Sequence, residues 1–232
     1  MFRPKIAVPG RFTEHASALR HRGVVSSRAL VELVWAAGGD PVTFLPAAAP
    51  DGTDWAHRLR GIDGVLLPGG GDVNPRRYGM PDDHESLYDM DELQDESDFT
   101  LAQYALDNAL PLLAICRGLH VVNSLLGGTL VIDMDVNHRH HEHTVRIDDP
   151  TGHLSFTSPD VASSCYHHQA VDRLADRLTV LGRSSDGYVE AVAIDAPGWA
   201  AALQWHPEDL FESDDEQVQP FRRLVAEAAR AR

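Results

Sequence analysis

A chain of 232 residues, 43% apolar and 24% charged, has the size and balance of one large α/β domain whose core is buried on two faces. Its formal charge of −15, from 35 acids against 20 bases, repels phosphate backbones and anionic membranes and so argues against nucleic acid or a membrane as partner. No stretch approaches the roughly 20 apolar residues that span a bilayer, and the amino-terminal apolar run is broken by proline before a signal-peptide core forms, so a cytoplasmic address is expected. Cys116 and Cys165 could make one disulfide at most; without an export signal they read as free thiols.

In chain order, Lys5 to Pro9 reads as a first buried strand ending at a Pro-Gly turn. Ser26 and Ser27 can cap a helix whose apolar positions Leu30, Leu33, Val34 and Ala37 follow the 3.6 period, stopped by Gly38-Gly39. Pro41 to Pro46 is a second strand, Ala47 to Gly52 a small-residue loop, and Trp55 to Leu59 a short helix. Gly64 to Leu67 is a third strand running into the turn Pro68-Gly69-Gly70-Gly71, followed by an acidic irregular stretch to Asp91. Glu92 to Asn108 reads as a longer helix with Phe99, Leu101, Ala102, Ala105 and Leu106 on its apolar side.

Leu110 to Ile115 is the continuous apolar run of a central parallel strand buried on both faces, and a helix from Arg117 to Leu126 follows at once. Strands alternating with helices predict an open, mostly parallel sheet. Thr144–Ile147, Leu178–Arg183, Val189–Ile194 and Trp199–Gln204 are short strand candidates suited to antiparallel additions, and Glu216 to Ala231 is an amphipathic last helix. With no repeat and no long linker, residues 1–232 are read as one domain.

Cys116 lies between an apolar strand and a helix, a strand-turn-helix elbow that exposes a side chain at the carboxyl end of a central strand. Free N–H groups at a helix start favour a thiolate there. A buried structural cysteine is the competing reading, since free Cys is among the most buried residue types. Near the other end, His206 and Glu208 stand two apart at the end of a strand candidate, where i and i+2 point the same way. Glu208 can then hold one ring nitrogen while the other faces a thiol, the arrangement a cysteine nucleophile requires.

The segments Ala114-Ile115-Cys116-Arg117-Gly118, Gln204-Trp205-His206-Pro207-Glu208 and Leu67-Pro68-Gly69-Gly70-Gly71 together resemble the class I glutamine amidotransferase-like hydrolases. The subgroup most similar is the γ-glutamyl-γ-aminobutyrate hydrolase group, peptidase C26. The resemblance extends over nearly the whole chain, through Gly70 to Pro75, Tyr78-Gly79, Asp95, Gly127 to Leu130 and Tyr166 to Gln169. It implies a flavodoxin-like fold, a Cys116–His206–Glu208 triad, and an oxyanion hole from the N–H groups of Arg117 and of Gly70 or Gly71. It implies no cofactor and a small-molecule γ-glutamyl amide as substrate; homodimers are common among relatives.

Three departures bear on the acyl donor. His120 stands where the family usually has Gln, Cys165 where a serine usually sits, and Gln94 to Asp98 replaces an Arg-Asp-x-x-Glu pattern. His120, Cys165, Tyr166, His167 and His168 are the substrate-binding candidates, with a turn role the alternative for His167 and His168. The tract His138-Arg139-His140-His141-Glu142-His143 could ligate zinc or nickel. With no acidic or cysteine partner at metal-ligand spacing, it is read as a surface loop near the site mouth, and no metal is expected. A glutaminase subunit feeding ammonia to a synthetase, or a silent relative that only binds, are the rival functions.

Overall fold

The computed structural model describes residues 2–17, 19–46, 54–136 and 138–231. Strand β1 (Lys5–Pro9) is buried after its first residue. A hairpin of β2 (Arg11–Thr13) and β3 (Gly23–Val25) follows, too short to leave a periodic signal. In α1 (Arg28–Ala36) the Ser27 hydroxyl accepts from the Leu30 N–H at 3.4 Å, and Leu30, Leu33 and Val34 make the buried stripe. Next come β4 (Asp40–Phe44), α2 (Trp55–Arg58) and β5 (Gly64–Leu67); the loop expected from Ala47 to Gly52 lies outside the described residues. The acidic stretch is irregular apart from one 3₁₀ turn at Pro75–Tyr78.

The helix α3 (Glu92–Asp107) leads to β6 (Leu112–Ile115) and α4 (Arg117–Leu125). After them run β7 (Leu130–Val131), β8 (His138–Ile147), β9 (Asp160–His167), β10 (Ala170–Val171), β11 (Leu178–Arg183), β12 (Val189–Ile194), β13 (Ala200–Leu203) and α5 (Gln219–Arg230). The main sheet has nine strands in the order β4-β1-β5-β6-β13-β12-β11-β8-β9. The first five are parallel and the rest antiparallel, so the mostly parallel, helix-flanked α/β sheet expected of a flavodoxin-like fold is present in the core.

Alternation along the strands sends neighbouring residues to opposite cores. Ala7, Val65, Leu67 and Leu112 pack with α3 and α4, whereas Ile6, Val8, Leu66 and Leu113 pack with α1 and α5. Two strand expectations need correction. Trp199–Gln204, grouped with the antiparallel additions, contains β13, which runs parallel to β6 with Leu203 opposite Ile115. The histidine tract, expected as a loop, begins the ten-residue strand β8, because β9 pairs with it along nearly its whole length. Among the described residues no helix is long and apolar enough to cross a membrane.

Candidate active site

Cys116 sits at the turn from β6 into α4 with φ 50° and ψ −104°, a conformation a non-glycine residue adopts only when its surroundings enforce it. The Cys116 N–H donates to Leu203 O at 2.7 Å, which locks the elbow to β13. Gly118 is required beside it: a Cβ there would lie 2.9 Å from Leu67 O and 3.0 Å from Ala114 Cβ. The first turn of α4 has no side-chain cap, and while the Leu119 and His120 N–H groups donate to Cys116 O, those of Arg117 and Gly118 remain available near the thiol. Among the described residues neither the Gly70 nor the Gly71 N–H donates a hydrogen bond, and both glycines line the same narrow crevice as Cys116 and Arg117.

His206 follows β13, and its Nδ1 is 2.8 Å from Glu208 Oε1. The contact is made differently from the expected extended i, i+2 geometry: β13 ends at Leu203, and Glu208 reaches back from a 3₁₀ turn at Pro207–Asp209. Nε2 is buried without a well-formed hydrogen bond, and the sulfur it interacts with is that of Cys116. Burial disfavours the charged ring, but Cys116 and Glu208 outweigh it and hold the His206 pKa well above 6.5. The His206 ring lies against Gly69, where a Cβ would be 2.7 Å from Cε1. A thiol, an imidazole and a carboxylate thus meet at the carboxyl end of the parallel strands, two free glycine N–H groups beside them, which equips the site for acyl transfer through a tetrahedral oxyanion.

The glycine turn is held by residues that no sequence motif marks. Arg11 donates from Nε to Gly69 O at 2.7 Å, to Pro68 O, and to Asp98 at 2.6 Å. Arg117 in turn pairs with both Asp95 and Asp98, all three buried. The missing Arg-Asp-x-x-Glu pattern is therefore replaced by an Arg11–Asp98–Arg117–Asp95 network drawn from three elements. Gln204, the first residue of the Gln-Trp-His-Pro-Glu segment, has a role that the motif does not assign. The buried His120 Nε2–H donates to Gln204 Oε1 at 2.9 Å, which turns the amide nitrogen of Gln204 towards Cys116 Sγ at 3.9 Å. Burial pushes the His120 pKa down to about 4, so the ring is a neutral donor at pH 7.

The other substrate-binding candidates part company. Tyr166 is 44% exposed and stands at the mouth, lining both the Cys116 crevice and a cleft of about 510 Å³ beside His206. His168 lines the crevice with Nε2 at 3.1 Å from both Asp72 oxygens and Nδ1 at 3.0 Å from Asp133, contacts that raise its pKa. Cys165 and His167 are buried and face a cluster with His138 and Glu190, although each reaches the edge of a pocket. Both cysteines are free and both are buried, so the side chain expected to be exposed at the Cys116 elbow is instead covered; burial pushes the Cys165 thiol up.

The chain is 32% identical over 211 residues to Protein NtpR of Enterococcus hirae, covering 85% of this chain and 87% of the relative. It is 31% identical over 192 residues to the gamma-glutamyl-gamma-aminobutyrate hydrolase PuuD of Escherichia coli, covering 74% of each. It is also 31% identical over 213 residues to a Mycobacterium tuberculosis protein named "putative glutamine amidotransferase Rv2859c", spanning 83% of this chain but 64% of that relative. A solved Thermoplasma acidophilum structure, described as that of a "putative gmp synthase subunit a protein", shares the fold, with TM-score 0.70 over 99% of this chain and 96% of that one at 16% identity. The family profile of Peptidase C26 matches residues 4–208, the span that carries the glycine turn, the elbow and the His-Pro-Glu segment. The chain belongs to the Peptidase C26 family, among class I glutamine amidotransferase-like proteins.

Proposed function

We propose that this protein hydrolyses γ-glutamyl amides through a cysteinyl acyl-enzyme. The observation that carries the reading is the meeting of Cys116, His206 and Glu208, in which the sulfur and the carboxylate both raise the His206 pKa. In this mechanism the Cys116 sulfur attacks the γ-carbonyl, and the carbonyl π electron pair moves onto its oxygen. The N–H groups of Arg117 and of Gly70 or Gly71 receive that oxyanion; removing one such donor costs about 10²–10³ in rate. His206 gives its Nε2 proton to the leaving amine as the C–N bond breaks, then takes a proton from water as the water attacks the thioester. Glutamate leaves, and the thiolate–imidazolium pair is restored. Glu208 keeps the ring oriented and its charge balanced throughout.

The substrate class rests on the PuuD relative, whose name states that it hydrolyses gamma-glutamyl-gamma-aminobutyrate. Tyr166 and His168, whose contacts with Asp72 and Asp133 raise its pKa, line the crevice beside Cys116, with His120 and the Gln204 amide adjacent to the sulfur. The test is a panel of γ-glutamyl amides, including γ-glutamyl-γ-aminobutyrate and γ-glutamyl polyamines, scored by glutamate release. Turnover that disappears in Cys116→Ala supports the reading; undiminished turnover in that variant refutes it. A second reading follows from the Mycobacterium relative's name, under which the chain would be the glutaminase part of an amidotransferase. Efficient release of ammonia from free glutamine, with no turnover of γ-glutamyl amines, would favour it.

A further inference from the structure

Beyond the catalytic candidates, the antiparallel half of the sheet encloses a second cluster of reactive side chains. His138 from β8, Cys165 and His167 from β9 and Glu190 from β12 are all buried, and one ligand atom from each lies within 4.8 Å of every other. The inward atoms are unsatisfied: His138 Nδ1, His167 Nε2 and both Glu190 carboxylate oxygens make no hydrogen bond. Their mutual spacings agree, since Glu190 Oε1 is 3.7 Å from His138 Nδ1 and 3.8 Å from His167 Nε2, too long for hydrogen bonds. Leaving a fully buried carboxylate among lone pairs with no donor is costly.

The outward atoms are satisfied in the pattern that metal-binding imidazoles show. His138 Nε2–H donates to Asp186 Oδ2 at 2.8 Å, and Asp186 is itself fixed by the Ser184 hydroxyl. His167 Nδ1–H donates to Gln169 O at 2.9 Å. Each outer bond leaves the other ring nitrogen facing the cluster, as a carboxylate or carbonyl behind a ligating histidine does. A β-bulge between Arg139 and His141, with His140 at φ 53°, sets the register that puts His138 opposite His167. His143 stands beside the cluster with Nε2 3.7 Å from Glu190 Oε1.

We propose that His138, Cys165, His167 and Glu190 form a closed structural site for a borderline divalent cation, zinc in the first instance. Two neutral imidazoles, one thiolate and one carboxylate neutralise a dication, so the loaded site carries no net charge into the interior. Nitrogen, sulfur and oxygen donors of this kind suit zinc and exclude magnesium or calcium, which take oxygen shells. Zn–N and Zn–S lengths require ligand atoms about 3.3–3.8 Å apart, which side-chain rotation of about an ångström supplies. Binding converts the Cys165 thiol to thiolate and releases its proton to solvent.

The site would brace the catalytic histidine from behind. The Gln204 N–H donates to Glu190 O at 2.7 Å and the His206 N–H to Ser164 O at 2.8 Å, so the segment carrying His206 is strung between two ligand-bearing strands.

The test uses the full chain, purified without a histidine tag, stripped by a chelator and returned to zinc or cobalt(II) alone. The expected result is about one metal ion per chain, with the intense visible bands of tetrahedral cobalt and a thiolate-to-cobalt band in the near ultraviolet. The stripped chain should melt several degrees lower than the zinc-loaded one. Cys165→Ser should lose the thiolate band, and Cys116→Ser should keep it, which separates this site from the nucleophile candidate. Because a ligand variant can fail to fold, the cobalt titration of the unaltered chain decides independently. Binding below roughly a tenth of an equivalent, or cobalt bound without the thiolate band, overturns the proposal, as does a band that depends on Cys116 instead.

Discussion

The parallel half of the sheet and its antiparallel extension each hold a set of reactive side chains, yet they are built in opposite ways. In the parallel half, Cys116 and His206 lie just past the ends of two neighbouring strands, β6 and β13, whose interiors are wholly apolar. Chemistry is confined to strand ends, where the sheet opens and backbone N–H groups come free. In the extension, polar groups sit inside the strands: Cys165 and His167 alternate inward along β9, and Glu190 is fully buried in β12. A strand interior can carry such groups only if they satisfy one another or a guest does. The first set is thus placed by strand-turn-helix geometry and the second by cross-strand register.

That contrast can be broken most sharply at the parallel end. Cys116→Ala should reduce glutamate release by roughly 10⁴–10⁶-fold while the melting curve stays close to that of the parent. Glu208→Gln should cost about 10⁴ in kcat by leaving the ring without its anionic anchor. The same variant carries a pH signature. Glu208 and the Cys116 sulfur raise the His206 pKa well above 6.5 against the effect of burial, so the protonated ring persists to higher pH. The alkaline limb of kcat/KM should therefore lie well above 6.5 in the parent and move down towards neutrality in Glu208→Gln; an unmoved limb would detach Glu208 from the titrating ring.

On the antiparallel side the expected effect is smaller and graded. Asp186→Asn weakens the carboxylate behind His138 without removing a ligand, and should lower zinc affinity by about 10–100-fold, read by competition with a chelating dye. Equal affinity in this variant would mean that the histidine cluster is not organised from its outer shell. Smallest is Gly118→Ala, whose new methyl would meet Leu67 O at 2.9 Å and Leu67 Cβ at 3.1 Å. It should destabilise the fold by about 1–3 kcal/mol in denaturant melts and lower turnover by shifting the elbow, with zinc binding unaffected. Loss of zinc in Gly118→Ala would show that the two halves are coupled.

The legibility of the two regions differs for a physical reason. The strand from Leu112, the elbow, the glycine turn and the pairing of His206 with Glu208 all depend on residues a few positions apart. Their apolar runs, turn residues and motif spacings stand in the sequence as written. Arg11 leaves no such trace, because a lone arginine opening a three-residue strand has no local pattern, and the motif that contains Gln204 does not say that its amide nitrogen faces Cys116. The histidine tract reads as a loop because polar composition outweighs strand propensity when the pairing strand is unseen.

Taken alone, the sequence determined the alternation of buried strands and helices, the strand-turn-helix elbow at Cys116, and the family to which the chain belongs, because each is carried by short-range spacing. Only the tertiary structure decided that β13 joins the parallel core beside β6, that Arg11 and Asp98 hold the glycine turn, and that ligand atoms of His138, Cys165, His167 and Glu190 come within 4.8 Å of one another. Those are decided by strand order and register, in which one residue of slip or one bulge changes which side chains meet. Residues 52 positions apart, such as His138 and Glu190, become neighbours only when the sheet has closed over them.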